Sequence, residues 1–382
     1  MIVIGARNVN YALWAGGRFL REQGIQQESR NGPVLRAPFP VTTVYERPEE
    51  RVMLDRHRDA NPFFHLYEAL WMLAGRNDLA PLLDFVKNMA SFSDDGGKTQ
   101  PGAYGYRWRR HFNAFINDRG QEVDHFPRDQ LAWAIRRLKA DPNDRRVVIQ
   151  MYDAEEDQDA ADHGGRDIPC NLMALPAVSP EGRLDLTVFN RSNDMIWGAY
   201  GANAVHFSVL QEFLAAAIGV PVGRYFQVSN NFHGYLATMG KAALNWQWGT
   251  EVREAWKGRA EPGLVDTGRL LPDPYEARTV LPTPMWDASF SLEEWDQDLG
   301  MFMEDPARIG VRSRFLRKVA CPMVMAHRAY RKEGSEAARE VLQQMPAHCD
   351  WRAGAEVWLA NRDEAAERKR RAEDDGVSHE AG

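Results

Sequence analysis

From Phe63 to Ala74 nearly every residue is apolar, His65 and Glu68 being the exceptions, with Pro62 ahead of the run and Gly75 after it. Proline at the first turn and glycine just past the last are ordinary limits of a helix. A helix apolar on almost every side has to be surrounded by protein, so the chain must build a core wide enough to enclose it. Its 382 residues, 44% of them hydrophobic and 12 of them Trp, suffice for one main domain with a helical end appended. A carboxylate inside such a helix is costly unless paired or catalytic, which makes Glu68 a candidate acid or base with a raised pKa.

The net charge of −7 and pI near 5.9 argue against a general nucleic-acid binder, since no basic surplus exists to neutralise a phosphate backbone. Any anion site must be local. The three cysteines, Cys170, Cys321 and Cys349, are scattered and lack paired spacing. Neither a disulfide framework nor a metal site is expected from them, and the compartment is expected to be reducing. Met1-Ile2-Val3-Ile4 is too short for a signal segment, and no apolar run is long enough to span a bilayer. The chain is expected in the cytoplasm, away from membranes.

Met1 to Gly24 reads as a strand and then a helix closed by Gly24, and Glu28 to Gly32 as a turn before extended Pro38 to Tyr45. Ser91 to Gly105 is a loop by composition, and Asp129 to Lys139 is amphipathic. Val147 to Met151 reads as a buried strand, and Leu184, Leu186 and Val188 alternate with Asp185 and Thr187 in another. Gly201 to Gly219 predicts a helix, and Gly223 to Tyr235 a further strand. Beyond Gly240 the signals are a loop at Pro282–Trp286, helices over 291–303 and 312–332, and a charged, frayed helix and tail over 362–382. Acidic neighbours of Arg368-Lys369-Arg370-Arg371 make that run a solvated helix rather than a nucleic-acid patch.

The chemistry concentrates around Asp167-Ile168-Pro169-Cys170-Asn171 and Asn190-Arg191-Ser192-Asn193-Asp194. Alone, Cys170 is most simply a small buried hydrophobe, Arg30 a solvated loop residue, and Arg145-Arg146 a pair of surface charges at a strand start. Beside guanidiniums, a hydroxyl and a carboxylate, the same thiol can be a nucleophile next to an anion site, because positive charge favours thiolate.

Taken in order, Arg30, Glu68, Tyr104, Arg145-Arg146, Pro169-Cys170, Arg191-Ser192-Asn193-Asp194, Asn203, and His233 with Tyr235 resemble the thymidylate synthase superfamily, from about Ser29 to Tyr235. The resemblance implies an α+β, three-layer fold with a large mixed sheet and extra C-terminal helices. Residues 1–345 would form the catalytic domain and 346–382 a charged helical extension. It implies a homodimer packed sheet on sheet and a pyrimidine nucleoside monophosphate as substrate. The one-carbon donor would be 5,10-methylenetetrahydrofolate, and no metal would be needed. Cys170 would add to C6 of the pyrimidine and make C5 a carbon nucleophile. Arg30, Arg191 and Ser192 would hold the 5′-phosphate, with Arg145 and Arg146 reaching it from the partner subunit. Asn203 would read the base, His233 and Tyr235 the sugar 3′-hydroxyl, and Asp194 the pterin. Glu68 and Tyr104 would manage proton transfers.

Three departures from the synthase pattern matter. Asn171 stands where a histidine normally follows the nucleophile, and the spacing between Gly198 and Asn203 is one residue longer than in the family. Val86 to Asp95, where the synthases carry tryptophans that flank the folate and shield the exocyclic methylene, contains no Trp. An aromatic wall excludes water and favours hydride; a smaller, polar wall admits water. The chain thus looks more like a nucleotide hydroxymethylase, of the type found in phages with modified pyrimidines and in some nucleoside antibiotic pathways. An ordinary thymidylate synthase is the alternative. Asn203 leans toward dUMP, while a flipped amide would serve dCMP or CMP. A Cys170–His233 hydrolase dyad would leave the four arginines without purpose, and a non-catalytic nucleotide-binding protein would retain binding in Cys170→Ala without any turnover.

Overall fold

A computed structural model describes residues 1–116, 124–239, 273–286, 291–308 and 310–380. Strands β1 (Ile2–Ala6), β2 (Ile25–Gln27), β3 (Val34–Arg36), β4 (Val41–Tyr45), β5 (Asn113–Ile116), β6 (Asp124–Pro127), β7 (Ile149–Gln150), β8 (Asn171–Val178), β9 (Leu184–Asn190), β10 (Asn193–Asp194), β11 (Val222–Ser229) and β12 (Phe232–Tyr235) follow in order. Six of them form a mixed sheet in the order β1-β4-β11-β9-β8-β7. The β1/β4 and β9/β11 pairs are parallel; β4/β11, β8/β9 and β7/β8 are antiparallel.

Period-2 alternation decides which face of this sheet is covered. Leu184, Leu186, Val188 and Tyr225 are buried beneath the helices Val9–Gln23 and Asn203–Ile218. Val44, Thr187, Phe189, Phe226 and Val228 point the other way and are only half-buried, and Met173 and Val148 on that side are 37% and 40% exposed. The Pro62–Leu73 helix is enclosed as its composition requires: Phe63, Leu66, Leu70 and Trp71 all lie in the main core, and Asn61 caps it by accepting from Phe64 N–H at 3.1 Å. The mixed sheet with helices is the expected α+β arrangement.

Three local expectations are corrected. Residues 223–235 are two strands in two sheets, because the chain turns at Asn230-Asn231, where Asn230 N–H donates to Asn190 O and Asn231 O accepts from Asn193 N–H, each at 2.9 Å. The second sheet, β10-β12-β3-β2, therefore carries Asp194 and His233 side by side. Of Val147 to Met151 only Ile149 and Gln150 pair with β8, the Gln130 side chain bonding both the N–H and the carbonyl of Gln150. The Gly201 helix begins at Asn203, behind a π-helical turn over Met195–Ala202 that departs from helical geometry at Tyr200 and Gly201. One extra residue absorbed without unwinding the following helix gives such a turn. A Cβ at Gly201 would lie 2.7 Å from Ile196 O, so only glycine permits the close approach.

The C-terminal signal becomes one helix, Asp350–Glu380, with Ala381 and Gly382 outside the described residues. Its first turns contribute Trp351, Ala355 and Leu359 to the same core as Phe63, and Trp358 meets the Phe63 ring edge-on at 5.6 Å. Farther along, Arg368–Glu364, Lys369–Glu373 and Arg371–Glu367 pair at i,i+4, as a solvated helix does. No helix among the described residues is long and apolar enough to cross a membrane.

Candidate active site

Cys170 is half-buried at the start of β8. Its carbonyl accepts from Arg191 N–H at 2.9 Å, while the Arg191 guanidinium donates to Pro169 O and Ile168 O, each at 2.9 Å. Arg191 thus braces the segment that presents the thiol. Burial pushes the thiol pKa up; the charges of Arg191 and Arg30 pull it down and Asp167 opposes them. Burial outweighs the two arginines, so the resting thiol is held protonated more firmly than an ordinary cysteine.

Arg30 is exposed on the turn Ser29–Gly32, closed by mutual backbone bonds of 3.1 and 3.2 Å, with Gly32 at φ 109. The neighbouring Asn31 amide donates to Tyr235 OH at 3.5 Å, which ties this loop to β12. There His233 and Tyr235 pack edge to face at 5.4 Å, and Asp194 lies beside His233 in the parallel register of β10 and β12. Asp194 accepts from Trp197 N–H at 2.5 Å, and burial raises its carboxyl pKa. Trp197, 60% exposed, has the Arg58 guanidinium 5.0 Å from its ring centroid. Ser192 is half-buried between β9 and β10.

On the opposite side, Tyr104 packs against Phe207 at 5.8 Å. Burial, then the charge of Cys170, push its phenol pKa up, with the Asn171 amide opposing. Asn203, buried at the head of its helix, accepts from Asn171 Nδ2 at 3.2 Å and donates from Nδ2 to Asn193 Oδ1 at 3.1 Å. One turn farther, His206 Nε2 meets Glu68 Oε2 at 2.8 Å, both side chains under a tenth exposed. Glu68 is therefore a paired buried acid, as the apolar run around it demands.

Arg145 and Arg146 stand apart. Ile149 faces Ala174 and Gln150 faces Met173, so the antiparallel register carries the arginines along β8 away from Cys170. Within this chain Arg146 is held by Asp144, at 2.8 and 3.1 Å. The Val86–Asp95 segment, by contrast, is joined to the nucleophile loop: Asp94 accepts from the amides of Arg166 at 2.9 Å and Asp167 at 3.4 Å, and Arg166 donates to Ser91 O at 3.2 Å.

Three residues were missed in sequence, His206, Arg58 and Gln227, and Asp167 was named there without a role. His206 follows Asn203 by three positions on one helix face, a signal of the kind that singled out Glu68. Asp167 accepts from Gly102 N–H at 2.7 Å and is pushed up to about 6 by burial. Arg58, lowered to about 10 by burial, donates to Ile196 O at 2.8 and 3.1 Å. Gln227, wholly buried in β11, takes part in the amide chain described below; nothing local in sequence marked it. Among the described residues His111, Asp153 and Glu156 have the proximity of a metal cluster, but His111 already meets Arg107 at 2.7 Å and Asp153 at 2.9 Å.

Cys170 is thus a thiol at the start of β8, on a loop braced by Arg191 and acting electrostatically on the Tyr104 phenol, and the family to which the chain belongs makes it a one-carbon transferase. The chain matches the thymidylate synthase family over residues 18–251 and belongs to it. It is similar over 391 residues, at 45% identity and across 100% of both chains, to a deoxyuridylate hydroxymethyltransferase of Pseudomonas phage M6. A protein of the same name from Bacillus phage SP01 is 40% identical over 205 residues, 53% of this chain and 50% of that one. Another, from Delftia phage PhiW-14, is 28% identical over 245 residues, 62% of each.

Proposed function

We propose that this chain makes 5-hydroxymethyl-dUMP from dUMP, 5,10-methylenetetrahydrofolate and water, releasing tetrahydrofolate. The observation that carries the reading is the Val86–Asp95 segment, which is tied through Asp94 to the loop before Cys170 and offers no tryptophan to screen the site. Full-length likeness to a phage deoxyuridylate hydroxymethyltransferase supports it.

In this reading Cys170 Sγ bonds to C6 and the electron pair moves to C5, which attacks the one-carbon unit that the folate supplies. Loss of the C5 proton and departure of tetrahydrofolate leave an exocyclic methylene. Water adds to it, and the C6–S bond breaks to return Cys170. Arg191 and Arg30 lower the cost of ionising the buried thiol before it attacks. Arg30, Arg191 and Ser192 hold the phosphate; His233 and Tyr235 hold the sugar; Asn203 reads the base. Glu68 and Tyr104 handle the protons. Asp194, a half-buried carboxylate beside an exposed indole, suits the polar edge and flat face of a pterin.

The half-covered apolar face of the large sheet, with Met173 and Val148 exposed, suits a second copy of the chain, which would bring Arg145 and Arg146 to the partner's phosphate. Sedimentation showing only monomer at working concentration would remove that part. Such an enzyme would act in the cytoplasm of a phage-infected bacterium.

Trp197 favours a second reading, because an exposed indole next to Asp194 offers an aromatic screen from another direction. Then hydride from the folate would give dTMP and dihydrofolate. Mass spectrometry of the nucleotide, with folate absorbance followed in parallel, separates the two: hydroxymethyl product with tetrahydrofolate retained is expected, and methyl product with dihydrofolate would overturn the reading.

A further inference from the structure

Asn203 is one link in a buried chain of side-chain amides whose hydrogen bonds all run in one sense. Asn171 donates to Asn203 at 3.2 Å, Asn203 to Asn193 at 3.1 Å, and Asn193 to both Gln227 Oε1 at 3.2 Å and Ser229 Oγ at 3.0 Å. Gln227 then donates to Tyr225 OH at 2.9 Å. Asn171 and Gln227 are wholly buried and Asn193 is nearly so. The Asn203–Asn193 link lies against Gly198, where a Cβ would come within 2.5 Å of Asn193 Oδ1 and 3.2 Å of Asn203 Nδ2. The backbone is thus shaped around the link.

We propose that this relay sets the choice of base by holding the Asn203 amide in one of its two orientations. The inference rests on the reading of Asn203 as the group that meets the pyrimidine. Uracil presents N3–H and a carbonyl at C4; cytosine presents a bare N3 and an amino group. An amide that pairs with one must turn over to pair with the other. Turning Asn203 alone would set its Nδ2 against Asn171 Nδ2 and its Oδ1 against Asn193 Oδ1. Relief requires Asn171, Asn193 and Gln227 to turn as well. The observed sense leaves one relay atom without a partner among the described residues, the acceptor Asn171 Oδ1. The reversed sense would leave a buried N–H pair at that end, which folded proteins tolerate less than a bare carbonyl. The sense of the relay is therefore fixed at the Asn171 end and is felt by the base at Asn203.

Calorimetric binding of dUMP and of dCMP to the full-length protein, without folate, tests this apart from turnover. Asn171→Asp can only accept, so Asn203 must turn toward it, and the dUMP:dCMP affinity ratio should fall by about 100-fold. Tyr225→Phe removes one hydroxyl at the far end of the relay from Asn171 and deprives Gln227 Nε2 of its acceptor. Either sense of the relay then leaves one buried N–H and one carbonyl unpartnered, the two senses come close in energy, and the ratio should fall by about 10-fold. That variant decides the matter if Asn171→Asp does not fold. Asn203→Asp serves as the reference: a ratio unchanged there removes base reading from Asn203 and the relay with it. A ratio that moves in Asn203→Asp but stays within about twofold of the parent in folded Tyr225→Phe and Asn171→Asp overturns the relay alone.

Discussion

The two ends of the site are built from opposite materials. At the end proposed to meet the base, Asn171, Asn203, Asn193 and Gln227 are neutral, buried and bonded to one another. At the end proposed to hold the phosphate, Arg30 and Arg191 are charged and exposed, and Arg191 directs donors to backbone carbonyls of the loop before Cys170. Neutral amides in a closed relay discriminate, because a wrong partner leaves a buried polar group unpaired. Exposed guanidiniums attract a dianion from any direction and discriminate little. Between them sits Cys170, with a thiol that burial holds protonated and the arginines pull toward ionisation. In the proposed reading, selectivity and binding fall to different chemistry on either side of one nucleophile.

That contrast can be broken at several points. Cys170→Ala should lower turnover by about 10⁴-fold or more while both ends still bind nucleotide, as read by product mass spectrometry and calorimetry. Glu68→Gln should cost about 10²- to 10³-fold in release of the C5 proton, measured with tritiated dUMP. His206→Leu should destabilise the fold by about 3 kcal/mol in denaturant unfolding, since it leaves Glu68 buried and unpaired. Arg191→Lys should weaken nucleotide binding by about 10- to 100-fold with the dUMP:dCMP ratio unchanged, because a point charge replaces the fork that braces residues 168 and 169. A changed ratio would mean the two ends are not separable.

The smallest effect concerns pH. Asp167, raised in the fold to about 6, binds its proton more tightly folded than unfolded. It therefore costs stability as pH rises from the ordinary carboxylate range through about 6. Asp167→Asn, which keeps an acceptor for Gly102 N–H, should be more stable than the parent by about 2 kcal/mol at pH 7 and equal to it near pH 3. Thermal melts across pH check this; a constant difference at all pH values would exclude ionisation of Asp167 as its cause.

Some of this was legible in the chain and some was not. The Pro62 helix, the alternation of Leu184, Leu186 and Val188, and the helix closed by Gly219 follow local periodicity, and each appears close to where it was expected. Glu68 stood out as a carboxylate in an apolar run, and Cys170, Arg191 and Asn203 stood out through the order of motifs that resembles the thymidylate synthase superfamily. The turn at Asn230-Asn231 was hidden because its cause is pairing with Asn190 and Asn193, distant in sequence. The π-helical turn before Asn203 had a sequence trace, one residue of extra spacing, but its form did not.

What the sequence by itself determined is a set of residue types and periodicities: a large core, an α+β arrangement, and a cysteine among arginines and asparagines. What only the tertiary structure decided is how those groups share their bonds. Glu68 is paired because two helices bring His206 to it; Arg30 and Arg191 lose to burial at Cys170; Asn203 is held by Asn171 and Asn193 on two strands. Hydrogen bonds and desolvation depend on the neighbour in space and on the water it displaces, and neither quantity is carried by the order of residues along the chain.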